Sequence, residues 1–493
     1  MSFFPPFLPG LLFAQVLQWQ YTYDGHGSDV AWKLLYDGDN GIYTLGISED
    51  TDATLWDLVL IKLDTLGSEC WIWRSDAEGI SYTATGDMVL DNQGHVYLTT
   101  ENATFKLDTS GSLLWAYPSG GSSITLGNFG DLYIAGDMTE DSLFSVLSLD
   151  TFGSFRWSYS QDSGVALVVR VDQNRGVYAG GRKKAKATIS DTSAVVLRLD
   201  TVGTPLWEKR IRVPASLKPD AFMAHRIVVD SENHIYGGTC KAFGTAADDL
   251  IGFFRMDTLG NLDWLTSSMG FGDEDLESGG LWDILLTQHG VYGCGTALVR
   301  FALLFAWGIY ALDLEGNVKW GWTSRYDEPT GVYCEARAIA SDPEENLFVV
   351  GRVPQYQSYG SVPTYPMAMK FTPAGTREWK YPWPDTGDFI SVAVDTSGGV
   401  YIAGNWNDDI QVIKLRDSLT TVHEGCAKDT RLLLAPAPDG FFISGYEGEA
   451  RIYDPAGRLV LSREINGKAL ISPLRPGVYF VVAGKEKARV AVR

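Results

Sequence analysis

The sequence predicts an all-β protein, an eight-bladed β-propeller closed by an N-terminal strand and followed by a small C-terminal β-sandwich. Three observations predict it. A nine-residue motif ending in tryptophan recurs seven times, a turn followed by a glycine-ended strand recurs eight times, and the repeat frame stops after residue 419, beyond which the charge changes sign.

The tryptophan motif reads LDTLGSECW from Leu63, LDTSGSLLW from Leu107, LDTFGSFRW from Leu149, LDTVGTPLW from Leu199, MDTLGNLDW from Met256, LDLEGNVKW from Leu312 and FTPAGTREW from Phe371. An Asp suits the first position of a turn because its carboxylate accepts from backbone N–H groups ahead of it, and a Gly three residues later closes the turn in the left-handed conformation. The Trp sits in a run with apolar or aromatic residues two apart, as in Leu113/Trp115/Tyr117, which is strand periodicity. Upstream of each copy lies the second motif, for example DNGIYTLG from Asp39, DQNRGVYAGG from Asp172 and SGGVYIAG from Ser397. Two further strands per unit are supplied by stretches such as RIVVD at 226–230 and DLVLIKLD at 57–64. Four short antiparallel strands repeating every 42 to 59 residues are propeller blades.

Eight upstream motifs but seven tryptophan motifs leave the last unit, ending in QVIKLRDSL at 411–419, without a fourth strand. VLQWQYTY, residues 16–23, carries Trp19 in the same frame as Trp115 and has no upstream partner of its own. An open sheet edge exposes unpaired backbone groups, so this strand is expected to complete blade eight. The D-x-x-G turn, Trp and G-x-Y-x-x-G pattern resembles the bacterial SBBP β-propeller repeat over residues 16–420, a resemblance that implies fold more than chemistry.

Composition narrows the function classes. Of 40 Lys/Arg and 61 Asp/Glu, residues 431–493 hold 10 and 6, net +4, leaving 30 and 55, net −25, for the first 430 residues. A ring this acidic disfavours nucleic acid and anionic membranes as partners. The five cysteines (Cys70, Cys240, Cys294, Cys334, Cys426) show no C-x-x-C spacing, and a disulfide is not legible. The stretch ALVRFALLFAWGIYAL, residues 297–312, is shorter than the roughly 20 residues of a membrane span and contains Arg300, and in the repeat frame it contains the third strand of blade six. Residues 1–15 resemble the distal part of a secretory signal peptide without its basic region.

After a polar linker at 421–431, residues 432–493 change pattern: RIYDPAGRLVLSREI is strand, turn, strand, and LRPGVYFVVAG with KARVAVR is a hairpin. The ordered set Ile452, Tyr453, Asp454, Gly457, Arg458, Leu474, Gly477, Val478 and Tyr479, with a basic final strand, resembles the C-terminal sorting domain of the type IX secretion system. LAPAP stands where that family opens with Tyr-Pro-Asn-Pro. The resemblance implies a diderm bacterium, export to the cell surface or medium, and the type IX machinery as a partner.

Candidate sites are few. Trp19, Trp71, Trp115, Trp157, Trp207, Trp264, Trp320 and Trp379, one per blade at a fixed strand position, are expected to pack between blades. DGDNG at Asp37 resembles the start of a calcium loop but lacks its later ligands and reads as a turn. Asp273, Glu274, Asp275 and Glu277 crowd one inter-blade loop and are the calcium candidates. No catalytic residue and no cofactor site is legible. The expected function is a secreted or surface, monomeric, non-enzymatic binding, adhesion or scaffold protein. Its unidentified extracellular ligand, a glycan or a protein, would bind on the loop face. The alternative is a quinoprotein-dehydrogenase-like enzyme, whose repeats ALDLEGNVKW also resembles; that group generally carries adjacent cysteines, which this chain lacks.

Overall fold

The computed structural model describes residues 15–492 except 26, 50–55, 76–85, 137–142, 162–163, 185–191, 212–221, 242–251, 268–275, 300–303, 327, 329, 332, 357–361, 418–432, 438–439, 454–457, 472–476 and 484–485. The chain divides into two compact units, Met1–Leu419 and Thr420–Arg493.

The first unit is eight four-stranded antiparallel meanders, the predicted propeller. Blade one, Asp29–Tyr36, Gly41–Glu49, Trp56–Asp64 and Glu69–Arg74, sets the pattern from innermost to outermost strand. Its first turn is closed by Asp37, whose Oδ1 accepts from Asp39 N and Gly41 N, both at 2.9 Å, so DGDNG is a turn as expected. Its third-to-fourth strand turn is closed by Asp64 Oδ1, accepting from Leu66 N and Ser68 N at 2.9 and 2.8 Å, with Gly67 at φ 86°. Asp108, Asp150, Asp200, Asp257 and Asp313 repeat this pair of bonds in blades two to six. Residues 304–312 form the third strand of blade six.

Blade eight is built from both ends of the ring: Gln15–Tyr23 pairs antiparallel with Asp409–Asp417, placing Trp19 opposite Lys414. The tryptophans explain how blades lock. Trp19 stands over Gly67 of blade one, and Trp71, Trp115, Trp157, Trp207, Trp264 and Trp320 stand over Gly111, Gly153, Gly203, Gly260, Gly316 and Gly375 of the blade that follows each. A Cβ on any of these glycines would fall within 3 Å of the indole. All seven indole N–H groups donate to a backbone carbonyl of the same turn, at 2.8 to 3.1 Å. Each ring also meets the core aromatic of its own blade, as Trp115 does Tyr97 at 6.2 Å between centroids. These seven are half-buried, so packing between blades is as expected but the area each covers is less than that of a fully buried indole.

The eighth differs. Trp379, on blade seven, faces the blade whose third and fourth strands are joined by no turn, because the two ends of the ring segment meet there. It is the most buried of the set, 5 % exposed, and among the described residues its Nε1 has no acceptor.

The second unit is five antiparallel strands in one hydrogen-bonded network. Gly440–Tyr453 pairs Leu459–Ile471 along one edge, and along the other it pairs Leu433–Ala437 with its first half and Gly477–Ala483 with its second. Glu486–Val492 completes the hairpin with Gly477–Ala483. Ala450, Ile452, Ile471, Tyr479 and Val481 are buried.

Candidate functional site: the central channel

The innermost strands of all eight blades line a channel, and a ring of inner strands poses a physical problem. One edge of each inner strand has no neighbour within its own sheet, so its N–H groups need other acceptors. The sequence supplies them at one level. The residue opposite the second position after the core aromatic is Lys33, Asp87, Ser123, Val168, Arg226, Asp283, Ala338 and Ser391 in blades one to eight. Where that residue is a carboxylate or hydroxyl, it accepts from the inner strand of the next blade. Asp87 takes Ile124 N at 3.0 Å, Ser123 takes Val169 N at 3.4 Å, Asp283 takes Ile339 N at 3.2 Å and Ser391 takes Leu34 N at 3.0 Å.

In six blades a β-bulge falls immediately before this level, leaving Trp32, Leu167, His225, Trp282, Arg337 and Ile390 without a partner across the ladder. A bulge re-aims side chains at the cost of one register step. Five of these six residues line a cavity of about 440 Å³, together with Lys33, Asp87, Ser123, Arg170, Arg226, Asp283 and Ser391.

The charges along this wall do not cancel. Lys33 Nζ is hydrogen-bonded to Asp87 and, at 3.2 Å, to Met88 O. Arg226 Nε lies 3.8 Å from Asp283. Arg337 Nη2 is 2.8 Å from Glu335 and 3.1 Å from Asp388, a cluster that Arg352 closes at 2.8 Å from Glu335. Arg337 also lies over the Trp282 ring at 5.0 Å. Arg170 is left over. Its bonds, both from Nη1, go to Val169 O at 2.7 Å and Ser123 Oγ at 3.4 Å, and among the described residues no carboxylate is within ion-pairing distance. Burial holds its guanidinium below the usual arginine value; Asp87 and Asp283 pull against that from a distance and the like charge of Arg226 adds to it.

The acids respond in opposite directions. Burial pushes Asp87 up, but Lys33 and Arg170 outweigh it and hold the carboxyl below its ordinary value. Asp283 is raised by burial against Arg226 and the Ile339 N–H. Asp388 is pushed up to about 6 by burial, which Arg337 and Arg352 only partly offset and Glu335 reinforces. These charges were not singled out in the sequence, because each is a lone residue in an apolar strand and only the ring closes them together.

Of the calcium candidates, Asp273, Glu274 and Asp275 lie outside the described residues, and Glu277 is on the innermost strand of blade six opposite Leu298. The described residues bring three other carboxylates together: Asp24, Asp29 and Asp409 each place an oxygen within 4.8 Å of the others, where blade eight meets blade one. That set could chelate a hard cation. Of the motif in the second unit, Ile452 and Tyr479 are buried, Tyr453 is half-buried and Arg458 is exposed. Gly477 and Val478 are paired with Val492 and Ala491. Asp454, Gly457 and Leu474 lie outside the described residues. Cys70 is exposed, while Cys294 and Cys334 are buried; burial pushes Cys294 well up and Cys334 up to about 12, so neither buried thiol is poised as a nucleophile. Among the described residues no helix is long and apolar enough to cross a membrane.

No family model matches the chain, and no curated protein matches it. Solved structures do. The Dos1 propeller aligns over 81% of this chain and 95% of its own at 9% identity, with a TM-score of 0.50. BamB from Moraxella catarrhalis aligns over 81% of this chain and 99% of its own at 13% identity, TM-score 0.46. The polysaccharide lyase Uly1 aligns over 68% and 90% at 10% identity, TM-score 0.42. At these identities the likeness is one of fold.

Proposed function

We propose that the chain is a non-enzymatic binding or scaffold protein of the bacterial cell surface, of the SBBP-repeat type, whose ligand site is the central channel. The observation that carries this reading is the division of labour in the channel wall. The carboxylates that line its cavity of about 440 Å³, Asp87 and Asp283, are engaged in ion pairs and in capping the edges of neighbouring inner strands, beside indole, aliphatic and guanidinium groups on the same wall. Acid–base catalysis needs a titratable group held within reach of a reacting atom. A wall whose acids hold the scaffold together suits recognition better.

Export belongs to the same reading. Residues 432–493 act as a type IX sorting domain, supported by the order of IYDPAGR and LRPGVYF and by the charge change from −25 to +4. Calcium enters only as a structural ligand, with Asp24, Asp29 and Asp409 the described carboxylates placed for it.

The full chain, screened against neutral and acidic glycans, calcium and quinone, is expected to bind a ligand without turnover. Stoichiometric quinone binding with oxidation of an alcohol or sugar would replace this reading with the dehydrogenase one. Expressed with and without residues 432–493 in a host carrying the secretion system, only the longer chain is expected outside the cell; equal export of both sinks the sorting assignment.

A further inference from the structure

The ligand class follows from two groups that the channel leaves unsatisfied. A guanidinium taken out of bulk water is costly unless a carboxylate or several well-aligned acceptors replace the lost hydration. Arg170 has one carbonyl and one distant hydroxyl, both on Nη1, and its nearest charged neighbours include another arginine. Arg170 and Arg226 come from the inner strands of adjacent blades, four and five, and both line the same cavity. Two like charges on one concave wall repel each other, and an anion between them turns that repulsion into attraction twice over. Independently, Trp32 on blade one lines the cavity, and its indole N–H is buried with no acceptor among the described residues. A buried donor without an acceptor has lost its hydration with nothing in return, a cost that a ligand oxygen would recover.

The rest of the wall agrees. Of the four cations lining the wall, Lys33 pairs with Asp87, Arg226 lies 3.8 Å from Asp283 and Arg337 pairs with Glu335 and Asp388, which leaves Arg170 without a carboxylate partner among the described residues, inside a ring segment whose net charge is −25. In a chain this acidic, cations collected on the innermost strands mark a place, since uniform composition would put carboxylates there. Asp87 and Asp283 also spend an oxygen on a neighbouring strand's N–H, which reduces what they can offer a cation.

We propose that the channel cavity binds an oxyanion group, a carboxylate, sulfate or phosphate carried by a small soluble ligand, with Arg170 as the anchor and the Trp32 indole N–H as a second donor. The proposal rests on the channel being the ligand site. A guanidinium presents a planar fork that matches such groups two oxygens at a time, so lysine is a poor substitute.

The test uses the full chain at constant ionic strength. Sodium sulfate, phosphate and succinate are titrated separately by calorimetry and by indole fluorescence, with a neutral oligosaccharide as a fourth arm. Saturable binding of at least one anion is expected, and the tightest of the three identifies the group. Arg170→Gln should weaken it at least tenfold, Arg170→Lys several-fold, and Trp32→Phe two- to fivefold. Arg156→Gln, on the exposed outer strand of blade three, should leave it unchanged. Circular dichroism checks folding, and if Arg170→Gln does not fold the Trp32→Phe result decides. Absence of saturable anion binding, or affinity indifferent to both Arg170→Gln and Trp32→Phe, overturns the proposal. If the neutral oligosaccharide saturates while the anions do not, the channel stands as a ligand site and the anionic class is wrong. If nothing binds, the channel reading falls with it.

Discussion

The outer turns and the channel wall are built on the same eight-fold frame and treat their residues in opposite ways. At the outer turns the same contacts recur: in blades one to six an Asp accepts two backbone N–H groups, and in blades one to seven a Gly at φ between 77° and 86° carries an indole from the preceding blade. In the channel, equivalent positions carry Lys, Asp, Ser, Val, Arg, Asp, Ala and Ser. A contact needed to join every pair of blades must be repeated. A contact made once, with a ligand at the axis, has no reason to be.

The carboxylates show the same contrast. Asp64, at an outer turn, is held below its ordinary value chiefly by the Ser68 N–H, and Leu66 N–H adds to this. Asp388, beside the channel, is pushed the other way, to about 6, because burial removes more hydration than Arg337 and Arg352 return. Asp64 is therefore better off ionised by folding and Asp388 worse off.

The largest expected effect comes from attacking the frame itself. Deleting residues 15–23 removes the fourth strand of blade eight, exposes the hydrogen-bonding edge of Asp409–Asp417 and takes Trp19 off Gly67. We expect the thermal midpoint to fall by more than 10 °C, or the transition to lose its cooperativity, by differential scanning calorimetry. An unchanged midpoint would mean that the ring does not depend on its closing strand.

A smaller effect separates the two regions by pH. A carboxyl raised from an ordinary value near 3.8 to about 6 contributes stability that is fully present below pH 4 and lost as pH rises through 6. Two units correspond to about 3 kcal/mol at most. Asp64 has the opposite sign, adding stability at neutral pH that is lost on acidification. Between pH 7 and 5, then, the wild-type midpoint should gain on that of Asp388→Asn. Parallel midpoints over that interval would show that Arg337 and Arg352 keep Asp388 ionised throughout.

How much could be read in the sequence divides along the same line. The blade count, the closing strand and the tryptophan seats were legible because repetition exposes them: LDTFGSFRW and MDTLGNLDW explain each other. Arg170, Asp283 and Asp388 were not, because each occurs once, inside an apolar strand, and its neighbours come from blades tens of residues away. The bulges at Trp32 and Trp282 were also hidden. A bulge changes which face a residue takes without changing the local composition, so strand periodicity assigns such residues to the wrong side. Nor does any motif bring together Asp24, Asp29 and Asp409, which meet only when blade eight closes on blade one.

The smallest effect tests whether the outer turns are as uniform as their sequence. Seven tryptophans donate to a turn carbonyl of the next blade, and Trp379 does not, because blade eight has no such turn. A net hydrogen bond is worth about 1 kcal/mol, while a buried donor left without an acceptor is itself a cost. Trp115→Phe loses packing and the 3.1 Å bond to Thr151 O; it should be destabilising by roughly 1 kcal/mol more than Trp379→Phe, which loses packing alone and sheds an unsatisfied N–H. Chemical denaturation of the two variants reads the difference directly. Equal losses would mean that the indole holds the blades by area and that the carbonyl adds nothing. A larger loss at Trp379, the more buried ring, would mean that at the seam packing alone replaces what the hydrogen bond supplies elsewhere.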